Sequence, residues 1–317
     1  MTSKAKNIEI LRDNKIAVPN GFMLDAGHYR AMIAPITGSI IEALPSSRRI
    51  REIFLSAEIP DSSMAYLNAQ LALFPGVKRF AVRSSGTVND HGRSIREDSD
   101  ETSLAGQFES FLNVSREYLP QAIRRCWASL FNERSIASFN ADRGYVLSSA
   151  MSVLIQEMVH AQSSAVMMTV DPQSTGDVGA IEFTWGPCEA IVAGIASPDE
   201  ITFHRDTGEI LTTMIGFKEC RVSYSPFNKT DRCNVIRVPT LPGERERLSV
   251  TTGTIKKMIR LGSQIERIFG CPQDVEAVIA DDGQIVITQA RPITVLPPAA
   301  KRTPFRASSL LTRENIL

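Results

Sequence analysis

Polar and apolar positions alternate most regularly near the end of the chain, in Asp274-Val-Glu-Ala-Val-Ile-Ala-Asp-Asp-Gly-Gln-Ile-Val-Ile-Thr-Gln-Ala-Arg-Pro-Ile-Thr294. Two apolar runs there flank Asp282-Gly283, a strong short-range hairpin signal. A two-residue turn at that dipeptide sets Asp281 opposite Gln284, Glu276 opposite Gln289 and Asp274 opposite Arg291. Side chains alternate faces along a strand, so Asp274, Glu276, Gln289 and Arg291 are expected on one side of the ribbon. That face offers two carboxylates, an amide oxygen and a guanidinium. Hard oxygens suit Mg²⁺ and a guanidinium suits phosphate. A solvated surface hairpin is the plain alternative, because polar alternation on an exposed face is ordinary.

The rest of the chain reads as follows. Residues 4–16 carry Ile8, Leu11 and the stem of Lys15 on one helical face, and an extended segment with a Pro-Asn-Gly turn follows. Residues 27–74 look helical; Asp61-Ser-Ser caps a stripe of Met64, Leu67, Leu71 and Phe74, and Pro75-Gly76 closes it. Arg79-Phe-Ala-Val-Arg83 is a compact strand. Residues 84–107 are small, polar and mixed in charge, with glycines at 86, 92 and 106, and read as a long loop. Such a loop either wraps phosphates with its N–H groups and hydroxyls or is a surface insertion. Phe108 to Val114 begins a strand or a helix. Ser115 caps a helix bearing Leu119, Ile123, Trp127 and Leu130, with Arg124 and Arg125 beside that stripe and one of them able to reach inward. Strands are expected at 152–159, 165–170, 178–184, 200–204 and 209–215, the last two joined by a turn at Asp206-Thr-Gly208. A helix over 245–269 presents Ile255, Met258, Ile259, Ile265 and Ile268 to a core, and Gly270 ends it. The tail after Pro297 reads as a frayed end or docking arm.

The 317 residues allow two domains or one large one, and a 43% hydrophobic, 22% charged composition is that of a globular enzyme. Lysine plus arginine equals aspartate plus glutamate, 35 each, so no bias points to nucleic acid or an anionic membrane. The five cysteines form no C-x-x-C pair, which argues for a reducing cytoplasm and no zinc site. The N-terminus lacks the apolar core of a signal peptide, and no apolar run approaches the ~18 residues that span a bilayer.

Several separated segments resemble one family, the N-terminal nucleotide-binding module of phosphoenolpyruvate synthase, pyruvate phosphate dikinase and rifampin phosphotransferase. They are Lys4-Ala-Lys-Asn-Ile8, Val18-Pro-Asn-Gly-Phe22, Val82-Arg-Ser-Ser-Gly-Thr87, Ser103-Leu-Ala-Gly-Gln107 and Phe111-Leu-Asn-Val114. Further along come Arg125-Cys-Trp-Ala-Ser-Leu-Phe131, Gln156-Glu-Met-Val159, Thr169-Val-Asp-Pro172, Gly186-Pro-Cys-Glu-Ala-Ile-Val-Ala-Gly194 with Ser197-Pro-Asp199, and the closing Asp274, Glu276, Gln289 and Arg291-Pro-Ile-Thr294. The resemblance covers about residues 4–294 and implies an α+β, two-lobed ATP-grasp-type fold. It implies a mostly helical lobe at 1–145, a β-rich lobe at 146–296 and a tail at 297–317, with ATP between the lobes. Carried over residue by residue, it implies that Lys4, Arg83 and Arg125 bind ATP phosphates. Glu276 and Gln289 would hold Mg²⁺ with Asp274 alongside, and Arg291 would stabilise the phosphate under attack. Gln156, Glu157, Met158 and Val159 would form a hinge strand against adenine, and Glu189 would bind ribose or orient a cation. Taken singly, each of these residues also fits a structural role.

Two departures qualify the likeness. His91 to about Asp98, including Arg93 and Arg96, looks inserted, and Gly186-Pro187-Cys188 replaces a more usual G-L-G. The relatives also continue into a domain with a phosphorylated histidine and then an acceptor-binding domain. Nothing after Thr294 resembles either, and His28, His91, His160 and His204 lie in no G-x-x-S-H context. The expectation is a phosphotransferase that uses Mg·ATP and passes phosphate to a small-molecule acceptor or to a histidine on a separate partner protein. A carboxylate-activating ligase and a non-catalytic nucleotide-binding subunit are the alternatives.

Overall fold

A computed structural model describes residues 3–90, 93–96, 108–174, 176–224 and 235–293. The chain divides into two compact units, and the division falls inside the first helix, α1 (Ser3–Asp13). Unit 1 comprises residues 1–6, 19–158 and 224–235; unit 2 comprises 7–18, 159–223 and 236–317.

Unit 1 contains β1 (Gly21–Leu24), α2 (Ala26–Ile33), α3 (Thr37–Ala43), α4 (Ser47–Ser56) and α5 (Asp61–Ala72). Next come β2 (Arg79–Asp90), β3 (Arg93–Arg96), β4 (Phe111–Ser115), α6 (Leu119–Ala128), α7 (Glu133–Ser138), α8 (Arg143–Ser148) and β5 (Ala150–Glu157). The expected helical region at 27–74 is thus four helices, interrupted around Pro35, Pro45 and Pro60, where the chain lacks an N–H donor. The sheet runs β1-β5-β2-β3, with β4 also on β2, and every pairing is antiparallel. Phe54, Trp127, Phe131 and Tyr145 pack with Val82, Val153 and Ile155 in its core. The loop expected from Ser84 is a correction: β2 continues through Asp90 and folds back onto β3. Composition misleads there because Ser84 and Ser85 are buried strand residues, opposite Val153 and Ser152 of β5. Small polar side chains fit that crowded position, and ladder pairing overrides their loop preference. The Ser103–Gln107 motif, parts of the 91–98 insertion and the 297–317 tail lie outside the described residues.

Unit 2 holds β6 (Ser163–Met168), β7 (Val178–Trp185), α9 (Glu189–Val192), β8 (Asp199–His204) and β9 (Ile210–Met214). After β10 (Cys220–Tyr224) and β11 (Val235–Pro239), which pair with each other, come α10 (Pro242–Arg245), α11 (Thr252–Phe269), β12 (Gln273–Ile279) and β13 (Ile285–Pro292). Six strands form one antiparallel sheet in the order β13-β12-β6-β7-β8-β9. One face, with Ala165, Met167, Ile181, Phe183, Ile201, Val275 and Ala277, packs against Ile255, Met258 and Ile259 of α11. The helix comes so close that a Cβ at Gly262 would lie 2.5 Å from Met167 Sδ. The helix expected over 245–269 starts later, because Thr251 Oγ1 accepts the Thr254 N–H and caps it there. Gly270 ends it in a left-handed conformation, φ +69°.

A buried ion pair ties this unit together. Asp199 and Lys218 are both fully buried and bonded to each other. Asp199 Oδ1 also accepts the Gly216 N–H at 3.0 Å, and its Oδ2 accepts the Ser249 N–H and hydroxyl, each at 2.7 Å. The carboxylate therefore fastens the end of β9's connection and the approach to α11 onto the start of β8. Asp199→Ala would leave the Lys218 ammonium buried without its counter-charge, a loss of about 3–5 kcal/mol. A urea midpoint close to that of the unaltered protein would contradict this role.

Candidate functional site

The hairpin β12–β13 pairs Glu276 with Gln289 and Asp274 with Arg291, as expected, but for a different reason near the turn. Ala280, rather than Asp281, faces Gln284, and Ala277, Val278 and Ile279 pair with Ile287, Val286 and Ile285. A bulge between Glu276 and Ala277 then shifts the register by one residue. Thr288 is the extra residue, and its hydroxyl donates to the Glu276 carbonyl at 3.3 Å. The bulge restores the polar quartet to one face while Ile287 and Ala290 stay in the core. Arg291 Nε and Nη2 both donate to Asp274 Oδ2, at 2.9 and 2.6 Å. Asp274 thus orients Arg291.

Register across the sheet extends this face. Glu276 pairs with Val166, Val166 with Glu182, and Glu182 with Glu200. Neither Glu182 nor Glu200 figures in the expectations drawn from sequence. The available signal was a carboxylate between Ile181 and Phe183 in a largely apolar strand. Burial, and then the Glu200 charge opposite, push the Glu182 carboxyl above the ordinary range. The preceding segment is anchored nearby: Cys188 Sγ lies 3.6 Å from the Ala165 carbonyl and 3.4 Å from that of Ala277. Glu189 follows as the first, half-buried residue of α9.

Unit 1 carries a second group of expected residues. Lys4 Nζ donates to the Ser84 carbonyl at 2.9 Å, which sets the ammonium beside the residue that follows Arg83 on β2. Arg125, on α6, rests over the Phe111 ring with its guanidinium carbon 4.4 Å from the centroid. Arg124 donates to the Leu55 and Ala57 carbonyls at 2.9 Å each. Gln156 is buried at the middle of the sheet, and its Nε2 has no hydrogen-bond partner among the described residues. The Glu157 N–H goes to the Asn20 carbonyl and the Met158 N–H to that of Arg79, so both are already used within the unit. Glu157 Oε1 accepts from the Asn20 side chain and N–H. Val159 begins the next stretch of unit 2 and is half-buried.

With this geometry in view, the comparisons are consistent. The sequence profile described as pyruvate phosphate dikinase, AMP/ATP-binding domain, matches residues 2–309, and the chain belongs to that family. A probable phosphoenolpyruvate synthase of Methanothermobacter thermautotrophicus is 30% identical over 98% of this chain and 46% of that protein. A rifampicin phosphotransferase of Bacillus cereus is 34% identical over 80% of this chain and 27% of its own length. The chain spans less than half the length of these curated relatives. Among solved structures, D-alanine-D-alanine ligase from Coxiella burnetii aligns over 94% of this chain and 48% of that one, at 8% identity and a TM-score of 0.35. So low a score adds nothing to the assignment. The α+β architecture agrees with the ATP-grasp type expected of the family. No helix among the described residues is long and apolar enough to cross a membrane.

The raised Glu182 carboxyl has a consequence for stability. A folded-state value above the unfolded one means the folded chain holds this proton more tightly. That contribution is complete below the unfolded value and is lost as pH rises through the folded one. Glu182→Gln is therefore expected to raise the melting temperature at about pH 7 and to have little effect at about pH 4, near the ordinary carboxylate range. Equal effects at both would remove the electrostatic explanation.

Proposed function

We propose that this chain binds Mg·ATP and catalyses phosphoryl transfer from ATP to a small-molecule acceptor or to a histidine on a separate partner protein, in the cytoplasm. The observation that carries this reading is the polar face of β12–β13, where an oxygen pair, Glu276 with Gln289, sits two residues from an oriented guanidinium. The oxygen pair fits Mg²⁺, which is commonly held by one or two protein oxygens and completes its shell with phosphate and water. When bound there, the ion would neutralise charge on the phosphates. Arg291, fixed by Asp274, would meet the charge that spreads over the phosphoryl oxygens during transfer. Lys4, Arg83 and Arg125 would bind the remaining phosphates. Gln156 and Met158 would line adenine, with Glu157 and Val159 contributing backbone and Glu189 meeting ribose. The committed N–H groups of Glu157 and Met158 shift adenine recognition toward carbonyls, the buried Gln156 amide and the Met158 thioether.

Nucleotide products test the reading directly. With Mg·ATP and candidate acceptors, AMP with phosphate would indicate dikinase-type transfer, and ADP a simple kinase or a carboxylate-activating ligase. Failure to bind Mg·ATP would overturn the proposal. Two variants separate the roles. Glu276→Ala should abolish the Mg²⁺ dependence of ATP binding while the fold persists; retained dependence, measured by calorimetry, would remove the metal assignment. Arg291→Ala should lower turnover by about 10²–10³, the range for losing one transition-state donor, with ATP affinity little changed. A loss confined to affinity would mean that Arg291 acts on the ground state.

A further inference from the structure

The two edges of the six-stranded sheet in unit 2 are treated differently. At β13 the Ile287 N–H donates to the Ala17 carbonyl at 2.8 Å, and Asn7 Nδ2 donates to the Ala290 carbonyl at 2.8 Å. The N-terminal segment of the chain therefore takes up that edge. β9 ends the sheet on the other side, and among the described residues no strand pairs with its outer edge. Alternate residues of an edge strand turn their N–H and C=O groups outward, so β9 offers a row of backbone donors and acceptors.

Edge strands ordinarily discourage further pairing with charges, proline or a bulge. The run Ile210-Leu-Thr-Thr-Met-Ile-Gly-Phe217 carries neither charge nor proline. A bulge is present, but it lies between Thr202 and Phe203, toward the hairpin turn. Beyond it Thr212, Thr213 and Met214 pair regularly with Thr202, Ile201 and Glu200. Leu211, Met214, Ile215 and Phe217 are apolar side chains between 47% and 66% exposed. The far end of the run is also fixed in place. Asp199 Oδ1 accepts the Gly216 N–H, and a Cβ at Gly216 would lie 2.0 Å from the Pro198 carbonyl oxygen. A strand held in this way loses little freedom when it associates.

We propose that β9 is the interface of a homodimer: it pairs antiparallel with β9 of a second copy, across a two-fold axis at Thr213. The strand is complementary to itself in this register. Leu211 of one copy lies opposite Ile215 of the other, and Thr212 lies opposite Met214. The residue on the axis faces its own copy, so a charge there would repel itself, and Thr213 is neutral. A register centred on Thr212 would instead set Leu211 against Thr213 and Ile215 against Glu209, which buries less apolar surface. Because the N-terminal segment already takes up the β13 edge, pairing closes at two copies instead of growing into a filament. One short strand makes an interface at the small end of the specific range, so the dimer is reversible, with a dissociation constant on the order of micromolar. The interface is independent of the nucleotide-binding reading.

Sedimentation equilibrium of the full chain should show monomer and dimer exchanging with concentration. Leu211→Lys sets an ammonium opposite Ile215 and should raise the dimer dissociation constant by about ten-fold or more. The melting temperature of the dilute monomer should stay unchanged, because the Leu211 side chain is already half in solvent. Ile215→Lys, made on the other member of the pair, is expected to act alike. Mixing the Leu211→Lys chain with an Ile215→Glu chain should recover the dimer through opposite charges. Thr213→Cys sets two thiols across the axis at the Cα spacing of an antiparallel pair, about 4.5–5.5 Å, which a disulfide spans. Oxidation with diamide should cross-link this variant and not Thr252→Cys, an exposed position at the start of α11. A chain that stays monomeric at millimolar concentration would overturn the proposal and leave this edge to a different protein. A dimer that survives both lysine variants, or that Thr213→Cys does not cross-link, would overturn it equally.

Discussion

The two-residue period of a β-strand is the constraint on which the candidate site depends. A strand offers its side chains to alternate faces, so a slip of one residue exchanges core and surface. With the register set by the turn at Ala280–Gln284, Glu276 would face Thr288, while Gln289 would face Val275 and Arg291 would face Gln273, both directed at the core. A guanidinium there would lose its solvation and its Asp274 partner together. One extra residue, Thr288, prevents this, and its hydroxyl occupies the irregular point by bonding to the Glu276 carbonyl. The bulge lets Ile285 and Ile287 serve the α11 side of the sheet while Gln289 and Arg291, a few residues later, serve the polar side.

The same device recurs in unit 1. There a bulge in β4 exchanges Leu112 for Phe111 opposite Val82, and Asn113 takes the left-handed backbone conformation. Left-handed backbone is uncommon outside glycine, though asparagine tolerates it better than most residues. In both units a regular ladder supplies rigidity, and one irregular residue re-aims the side chains beyond it. Buried pairs such as Asp199 with Lys218 and Arg205 with Glu266 act differently, since they fasten segments whose positions the ladders alone do not fix.

Much of this was legible in the sequence, and the exceptions have physical reasons. The hairpin pairs at 274–291 and 276–289 followed from alternation, yet the count assumed a turn that the chain does not make; the bulge cancels that error at the site. Asp282-Gly283 marks a turn but does not fix its length. The Ser84–Asp90 strand was hidden because hydroxyl-rich composition describes loops on average, whereas Ser84 and Ser85 are selected here by a crowded ladder with β5. Arg124 and Arg125 are adjacent and chemically identical, and only the tertiary fold separates the one that ties carbonyls from the one that lies over a ring. The Asp199–Lys218 pair leaves no local trace, because its two halves lie 19 residues apart at opposite ends of the β8–β9 hairpin. Glu182 was visible as a charge in an apolar strand, but its alignment with Glu276 exists only through the register of β6 between them.

That alignment bears on what the polar face of unit 2 can accept. Its register-matched residues include the carboxylates of Asp274, Glu276, Glu182 and Glu200 and one guanidinium, Arg291, which Asp274 already pairs. The balance is negative, so bare phosphate is repelled and a divalent cation is attracted. Glu182 lies two strand spacings from Glu276, ~10 Å, where unit charges still interact by on the order of 1–2 kcal/mol at an effective dielectric of ~20. Ligation at Glu276 would be the larger effect on the proposed reading, and the distant carboxylates would add a field that favours the cation without touching it. On the proposed reading, this face selects the metal–nucleotide complex over the free nucleotide.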